Sequence, residues 1–174
     1  VKEKELEKNG ERLSLAMDAA EHGFWDWNIT TGDAYFSPRW YTMLGYEPGE
    51  LPMRFESWAD LLHPESKTVI DHINTHVKNA EPFIEEFQLR CKDGTYKWIM
   101  GQGKSYELDK ENHPTRVVGI HTDITERKNK DKLVENERIF LNTVLDNIRE
   151  AIVICDKEGK IVRFNESARK LHNL

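Results

Sequence analysis

"FIEEFQLRCKDGTYKWIMGQGKSY", residues 83–106, has the pattern of a β-hairpin. Phe87 and Leu89 alternate with polar residues, which is the period of a strand with one buried face. The dipeptide Asp93-Gly94 then favours a tight turn between two paired strands. Because a further apolar, β-branched run follows at 115–124, the sequence predicts three strands in an antiparallel meander.

A second hairpin is predicted nearer the N-terminus, in "GFWDWNITTGDAYFS", residues 23–37. Aromatic and β-branched residues flank Thr-Thr-Gly, so two short strands should meet in a turn at Gly32. A short helix should follow, with Ser37 as its cap, Pro38 at its first position and Gly45 as its stop.

Helices are predicted before, between and after these strands. Residues 2–9 and 11–22 favour helix, with Gly10 as an interruption. Leu13, Ala16, Met17 and Ala20 have helical spacing, so one face of 11–22 should pack on a core. A longer helix after His63 should bury a stripe formed by Val69, Ile70, Ile73 and Val77. The predicted fold class is therefore α+β, an antiparallel sheet with helices that cover one face.

Composition narrows the classes of partner. The 174 residues carry a net charge of −6, and no dense Lys/Arg cluster offsets it, which argues against nucleic acid or an anionic membrane as a partner. Two distant cysteines, Cys91 and Cys155, suggest no disulfide. No apolar run is long enough to span a membrane, so we expect a cytoplasmic location without membrane contact. The chain has no initiator Met, and we expect it to be a piece of a longer protein.

Four blocks in order resemble one family. The blocks "GFWDWNITTGDAYFSPRWYTMLGY", "LLHPES", "FQLRCKDGTYKWI" and "VVGIHTDITERK" are similar to a PAS domain with its C-terminal PAC motif, as found in bacterial and archaeal sensor proteins. The resemblance covers about residues 11–128. It implies a five-stranded antiparallel sheet flanked by helices, whose concave face can enclose a small-molecule pocket.

An internal repeat indicates that a second PAS domain begins near the C-terminus. "ERIFLNTVLDNIREAIVICDKEGKIVRFNESARKL" repeats the layout of "ERLSLAMDAAEHGFWDWNITTGDAYFSPRWYTML", with Gly159 in place of Gly32 and Phe164 in place of Phe36. The predicted organisation has four segments: an upstream helical linker at 1–10, a PAS/PAC sensor domain at 11–125, a signalling helix at 126–149, and a truncated second PAS domain at 150–174.

Large aromatic and aliphatic residues are candidates for the pocket of the sensor domain. They are ordinary core residues by default, but ligand pockets are also largely apolar. Asp26 and Asn28 alternate with the tryptophans and should lie on the opposite face of their strand. Gly101 and Gly103 indicate either a close approach to the backbone or a bulge. The candidate pocket residues are Trp27, Trp58, Ile70, Phe87, Leu89, Trp98 and Ile120.

Cofactor and metal sites are not expected. His72 and His76 have the spacing of a metal pair, but they should lie on the polar side of their helix. Some PAS domains bind haem through a histidine on this helix, so haem is the alternative to exclude. Light-sensing members carry an Asn-Cys-Arg motif, which neither "RCKDG" nor "ICDKEG" matches. We also find no arrangement of nucleophile, base and orienting residue, and expect no enzyme activity in this chain.

The segment "DITE" joins the last strand to a charged helix. Asp123 or Thr125 can cap that helix, Glu126 favours its positive end, and Asp123 with Glu126 has capping-box spacing. Ile124 between them can anchor the strand in the core. Two interpretations remain open: Asp123, Ile124 and Thr125 relay a signal from sheet to helix, or they only start the helix.

The resemblance predicts a sensory and relay module of a signalling protein. A histidine kinase is the expected output domain, and a cyclic-dinucleotide synthase is the alternative. A ligand-free dimerisation spacer is a third reading. Homodimers should form through the flanking helices, because Val134, Leu141 and Ile148 recur every seven residues with Val144 between them, although Glu137 interrupts the seam.

Overall fold

The computed structural model describes residues 2–172, with the exception of the side chains of residues 2–4, 6, 7, 13, 14 and 18. Val1, residues 173–174 and the predicted apolar side chain of Leu13 therefore lie outside the described residues. Contacts divide the chain into two compact units, one up to Glu126 and one from Arg127.

The first unit contains a five-stranded sheet in which neighbouring strands are antiparallel. Along the sheet the strands follow the order β2-β1-β5-β4-β3. The first and last strands in sequence, β1 and β5, are therefore paired with each other inside the sheet. Both predicted hairpins and the meander are confirmed, and with them the fold class. The strands are β1 (His22–Asn28), β2 (Ala34–Phe36), β3 (Phe83–Arg90), β4 (Tyr96–Leu108) and β5 (Pro114–Asp123).

Helices flank this sheet and continue after it. A single 3₁₀ turn, Pro64–Ser66, precedes α4 where the sequence suggested one longer helix. The second unit adds a two-stranded antiparallel sheet and a short helix. The helices are α1 (Lys2–Ala19), α2 (Pro38–Met43), α3 (Phe55–Ala59), α4 (Val69–Lys78), α5 (Thr125–Asn147) and α6 (Glu166–His172), and the two additional strands are β6 (Val153–Cys155) and β7 (Ile161–Phe164).

Helix α1 differs from the prediction in two ways. It runs through Gly10 without a break, because one glycine costs only about 1 kcal/mol relative to alanine inside a helix. Its predicted core face is not buried, since Ala16 and Ala20 are exposed and Met17 is half-buried. The helix ends at Ala19, before Glu21 adopts a left-handed backbone conformation and β1 begins.

The core lies between one face of the sheet and helices α2 to α4. Alternate residues of the strands, such as Phe87, Ile99 and Val117, are completely buried on this face. Trp40 and Leu44 cover them from α2 and the turn that follows it. From α4, the buried residues are Val69, Ile73 and Val77, whereas Ile70 is only partly buried against the core.

Two matching pairs of hydrogen bonds support the internal repeat. Phe24 N donates to Ser37 Oγ at 3.0 Å, and Ser37 N donates to Phe24 O at 2.9 Å. In the second unit, Ile152 N donates to Asn165 Oδ1 at 2.8 Å, and Asn165 N donates to Ile152 O at 3.0 Å. Ser37 thus precedes α2 as predicted, but its side chain makes no capping hydrogen bond to the helix and ties α2 to β1 instead.

Asn165 organises the second unit. It is 2% exposed, and its Nδ2 donates to the carbonyl oxygens of Leu145, Ile148 and Glu150. One side chain therefore connects the end of α5, the approach to β6 and the start of α6. Among the described residues, no helix is both long enough and apolar enough to cross a membrane.

Candidate functional site

A small cavity lies between the sheet and the helices of the first unit. Its volume is about 40 Å³, which is room for a few water molecules. The sheet contributes residues from β1, β2, β3 and β5, and the helices α3 and α4 close the other side. The lining is almost entirely aromatic, and its rings are Trp25, Trp27, Phe36, Phe55, Trp58, Phe83 and His121.

His121 is the one titratable residue in this lining. It is 5% exposed, and its ring centre lies 5.3 to 6.5 Å from those of Phe87, Trp25, Trp40 and Trp58. Burial lowers the pKa of His121 to about 3, so the imidazole is neutral at pH 7.

The tautomer of His121 follows from its hydrogen bond. Trp40 Nε1 donates to His121 Nδ1 at 2.9 Å, and an indole nitrogen can only donate. Because Nδ1 accepts, the proton of the neutral ring is on Nε2. The nitrogen of His121 that Trp40 does not occupy is therefore a hydrogen-bond donor.

Three tryptophans of the lining have indole N–H groups without a partner. Nε1 of Trp25, Trp27 and Trp58 is buried, and within residues 2–172 no protein atom accepts its hydrogen bond. Buried polar groups in proteins are nearly always paired, so three unpaired indole donors among the residues of one lining are unusual, although the nitrogen atoms themselves have almost no accessible surface.

Glycines allow the aromatic rings to lie directly on the sheet. A Cβ atom on Gly103 would approach Phe83 to 2.5 Å and Trp25 to 2.6 Å, and one on Gly101 would approach Phe87 to 2.8 Å. Of the two interpretations left open for these residues, close approach is therefore the one observed. The bulges of β4 lie further along, between Ser105 and Leu108.

The predicted pocket residues come from the helices α3 and α4 and from both faces of the sheet. Trp27 and Trp58 line the cavity. Phe87 is buried behind them, with its ring centre 5.5 Å from that of Trp58. Leu89 is also fully buried, but it is outside the lining and bridges to Leu62.

Three other predicted residues are not part of the lining. Ile70 is partly buried, and its α4 neighbour Ile73 reaches the cavity instead. Trp98 and Ile120 lie on the outer face of the sheet, since their strand neighbours Ile99 and His121 are the buried ones. Because side chains alternate along a strand, a choice one residue out of phase selects the wrong face.

The lining residues that the sequence did not indicate as pocket candidates are Ala34, Phe36, Phe55, Ile73, Phe83 and His121. A signal for His121 was present, because Val117, Gly119 and His121 have the two-residue spacing of one strand face. Histidine is polar and was therefore not expected in an apolar lining, whereas the neighbouring apolar Ile120 was a predicted pocket residue.

The outer face carries a bidentate ion pair. Arg116 Nε and Nη2 donate to the two carboxylate oxygens of Asp26, at 2.9 and 2.6 Å. Asp26 thus lies on the face opposite Trp25 and Trp27, as the alternation predicts. Asn28 serves the turn, where its Oδ1 accepts hydrogen bonds from the backbone of Thr30 and Thr31.

The two histidines that have metal-pair spacing in the sequence lie beside carboxylates on the surface. His72 Nδ1 is 3.7 Å from Glu85, and His76 Nδ1 is 3.4 Å from Glu81. Within the described part of the chain, the one group with metal-like geometry is Asp109, Glu111 and His113 in the loop between β4 and β5. All three are exposed, and Asp109 Oδ1 already accepts backbone N–H groups of the other two, so we assign no metal there.

The junction between β5 and α5 is held by several hydrogen bonds. Asp123 Oδ1 accepts the N–H of Thr125 at 2.9 Å, and Lys97 Nζ lies 2.9 Å from Asp123 Oδ2. Lys97 Nζ also donates to Met43 O at 2.7 Å, at the end of α2. The junction is thereby connected to β4 and to α2.

Backbone groups complete this junction. Trp98 N donates to Thr125 Oγ1 at 3.0 Å, while Ile124 N donates to Trp98 O at 2.9 Å. Ile124 is buried, as predicted for a strand anchor. Burial alone would raise the pKa of Asp123, but hydrogen bonds from Thr125 and Lys97, with the charge of Lys97, outweigh it and lower the pKa.

Comparison with known proteins identifies the family. The model of the PAS fold matches residues 33–121, and a PAS domain model matches residues 139–174. The chain belongs to the PAS family. The first match extends from β2 to His121 in β5 and includes the helices that close the cavity. The second match confirms that a second PAS domain begins in the C-terminal unit.

Solved PAS structures share this fold. A sensory box histidine kinase/response regulator from Burkholderia thailandensis is 30% identical, with a TM-score of 0.66, and the match covers 76% of this chain and 98% of that one. The N-terminal domain of a diguanylate cyclase with a PAS/PAC sensor from Marinobacter aquaeolei is 22% identical, with a TM-score of 0.57 over 62% of this chain and 98% of that one. The second likeness concerns the fold alone.

Curated relatives are much longer proteins. A probable diguanylate cyclase of Escherichia coli is 29% identical over 92% of this chain, which spans 14% of the relative. A blue-light-activated histidine kinase of Brucella anthropi is 26% identical over 71% of this chain, and the match spans 24% of that protein. This PAS domain is therefore homologous to domains of both histidine kinases and diguanylate cyclases.

Proposed function

We propose that the chain is a sensory and relay module whose first PAS domain binds a small molecule and passes a conformational change to α5. One observation carries this proposal. His121, which lines the cavity, and Asp123, which holds the start of α5, are two residues apart on the same face of β5. A displacement of β5 at the cavity would therefore also displace the residues that hold the start of α5.

Asp123, Ile124 and Thr125 are the proposed relay residues. Their hydrogen bonds to Lys97 and Trp98 connect the junction to β4, so it is held on more than one side. Such a junction favours a few discrete arrangements over gradual bending.

The proposed output is the kinase activity of a longer cytoplasmic histidine kinase, with a cyclic-dinucleotide synthase as the alternative. The similarity to the Burkholderia and Brucella kinases supports the first, and that to the Escherichia coli cyclase supports the second. In this proposal the chain itself has no catalytic activity. Its task is to change the activity of a domain elsewhere in the protein.

The proposed ligand is neither haem nor flavin. Drug-sized ligands need pockets of about 300 Å³ or more, far above the 40 Å³ of this cavity. Cys91 is not in the lining, and His72 and His76 are on the surface of α4. Cys91, His72 and His76 are therefore not positioned to ligate haem iron or to react with a flavin in this cavity.

A ligand-free dimerisation spacer is the second candidate. The observation that favours it is the exposure of large apolar side chains along α5, including Val134 at 65% and Leu141 at 59%. Such a helix could connect two copies of the chain and transmit rotation without any ligand.

Native mass spectrometry of the purified chain tests between these functions. The sensor predicts a retained small molecule that disappears when Trp58→Ala opens the wall of the cavity. Trp98→Ala on the outer face is the matched control and should keep the adduct. Bare protein in all three samples would favour the spacer over the sensor.

A further inference from the structure

We propose that the cavity between the sheet and the helices α3 and α4 selects a compact apolar ligand, of the class of small hydrocarbons. This inference rests on the proposed sensory function, because it names the class of ligand for the same cavity. It follows from the atoms that line the space, from the position of the ring nitrogens and from the size of the space.

Most side chains around the cavity contain only carbon and hydrogen. These are Ala34, Phe36, Phe55, Ile73 and Phe83. Three tryptophans and His121 complete the lining, and burial lowers the pKa of His121 so that its ring is uncharged at pH 7. Among the described residues that line the cavity, none carries a carboxylate, ammonium or guanidinium group. A charged ligand would therefore be buried without a counter-charge, which is strongly unfavourable.

The indole nitrogens of the three tryptophans do not reach the space. Nε1 of Trp25, Trp27 and Trp58 has almost no accessible surface and no acceptor among the protein atoms of residues 2–172. The atoms that these rings present to the cavity are therefore carbon atoms. In His121, Trp40 occupies Nδ1, so Nε2 is the one ring nitrogen that remains for a ligand.

Polar ligands lack partners among these side chains, and so does water. A buried water molecule typically makes about two to four hydrogen bonds, whereas a single histidine N–H group supplies one. A ligand with a hydroxyl, amine or carbonyl group would likewise lose hydrogen bonds to solvent that the lining side chains do not replace. A hydrocarbon has no such loss, because it makes no hydrogen bonds with water.

An apolar ligand gains by filling the space. The atoms of a cavity wall have no neighbours on one side, and a ligand that fits restores those dispersion contacts. Trp25 and Phe83 stack with their ring centres 6.1 Å apart, and both rings lie so close to Gly103 that not even a Cβ atom would fit there. These rings cannot move further toward the sheet, so the cavity does not close from that side.

The size of the cavity limits the ligand to a few non-hydrogen atoms. Its volume is about 40 Å³, far below that of a pocket for a drug-sized molecule. Xenon and isobutene are compact apolar probes for such a space. Acetone has the trigonal shape of isobutene, with a carbonyl oxygen in place of the methylene group, and it is therefore the matched polar probe.

Nuclear magnetic resonance of methyl groups tests the proposal on the intact chain. The methyl signals of Ala34 and Ile73, which line the cavity, should shift saturably with xenon and with isobutene. The signals of Ala16, which is exposed on α1, and of Ile120, on the outer face of β5, should stay fixed. Acetone should bind at least about tenfold more weakly than isobutene, because its carbonyl group loses its hydrogen bonds with water.

Two variants locate the bound probe. Ala34→Val adds two carbon atoms to the wall of the cavity and should remove the saturable shift of Ile73. Ala16→Val adds the same atoms to the exposed surface of α1 and should leave xenon binding unchanged. Undiminished xenon binding in Ala34→Val would place the probe elsewhere and overturn the inference. Should Ala34→Val fail to fold, the comparison of isobutene with acetone in the unaltered chain still decides.

The outcomes separate this inference from the proposed function. Acetone that binds as tightly as isobutene would overturn the selection for apolar ligands and leave a ligand-binding sensor intact. If neither xenon nor isobutene shifts the signals of Ala34 and Ile73, the inference fails, and the native mass measurement alone decides the proposed function. Selective binding of isobutene by a chain that retains no molecule in that measurement would keep the selectivity and count against the sensory function.

Discussion

Trp40 Nε1 and His121 Nδ1 are joined by a hydrogen bond of 2.9 Å inside the core, although 81 residues separate them in sequence. The bond connects α2 to β5, and it keeps the histidine in one tautomer. A neutral histidine held in this way makes the stability of the domain sensitive to acid.

Acidification should destabilise the domain through His121. The unfolded chain protonates this histidine below about pH 6.5, whereas the folded protein does so only near pH 3. Between these values the unfolded state binds one more proton, so the free energy of unfolding should fall by up to about 1.4 kcal/mol for each pH unit lowered. Above pH 6.5 His121 contributes no pH dependence.

Chemical denaturation from pH 7.5 to pH 4 checks this expectation. His121→Gln removes the titration and retains an acceptor for Trp40, so its stability should depend less steeply on pH than that of the unaltered chain. His113→Gln, in an exposed loop, is the control and should follow the unaltered chain. Parallel profiles for all three proteins would show that His121 is not buried and neutral.

Gly119 should tolerate no side chain. A Cβ atom there would lie 2.0 Å from Gln102 O and 2.3 Å from Trp25, and the carbonyl belongs to the backbone of β4 and cannot rotate away. We expect Gly119→Ala to cost about 3 kcal/mol or more, the upper range for overpacking. Gly10→Ala in α1 meets no atom within 4 Å and should be neutral or slightly stabilising.

Thermal and urea unfolding of the two alanine variants provide the measurement. An equal stability for both would contradict the close packing of Trp25 on the sheet. The comparison needs no ligand and no output domain, so it tests the architecture of the cavity alone.

Dimerisation through α5 should depend on its apolar seam. Val134, Leu141 and Val144 are exposed in the single chain, and a charge at Leu141 would have to be buried in a helical pair. Leu141→Glu should therefore shift the chain toward monomer. Asn136→Glu adds the same charge on the opposite side of the helix and should not.

Light scattering over a concentration series measures the fraction of dimer for the unaltered chain and for both variants. A monomer at every concentration for the unaltered chain would contradict dimerisation. Equal dissociation of both variants would indicate a general effect of charge instead of a seam.

Local sequence patterns made the strands predictable. They did not predict which face of each strand lines the cavity. Asp93-Gly94 and the alternation at Phe87 and Leu89 fix a hairpin through turn geometry and side-chain period, and both are visible in sequence. The lining depends on which strand face the helices cover. In β5 the buried face includes the polar His121, so its apolar pattern is interrupted in the sequence. Trp98 and Ile120 are apolar, but alternation along β4 and β5 places them on the outer face of the sheet.

Long-range pairing explains the other differences. The bond between Trp40 and His121 cannot be read from spacing, because 81 residues separate its partners. Ser37 looked like a helix cap, but Phe24 N competes for its hydroxyl once β1 and α2 meet. By contrast, the junction around Asp123 is local, so its hydrogen bond to Thr125 could be anticipated.

The proposed relay at this junction is tested most directly by one comparison of two variants, made in the full-length protein that we propose contains this chain. Asp123→Ala removes the acceptor for Thr125 and Lys97 and should cost about 1 kcal/mol, a typical cap loss. Ile70→Val, a partly buried change away from the junction, should cost a similar amount. Thermal melts and output activity are measured for both variants. The relay predicts that Asp123→Ala changes the output far more than Ile70→Val at equal stability, and a loss of output in proportion to stability in both would show that Asp123 only starts the helix.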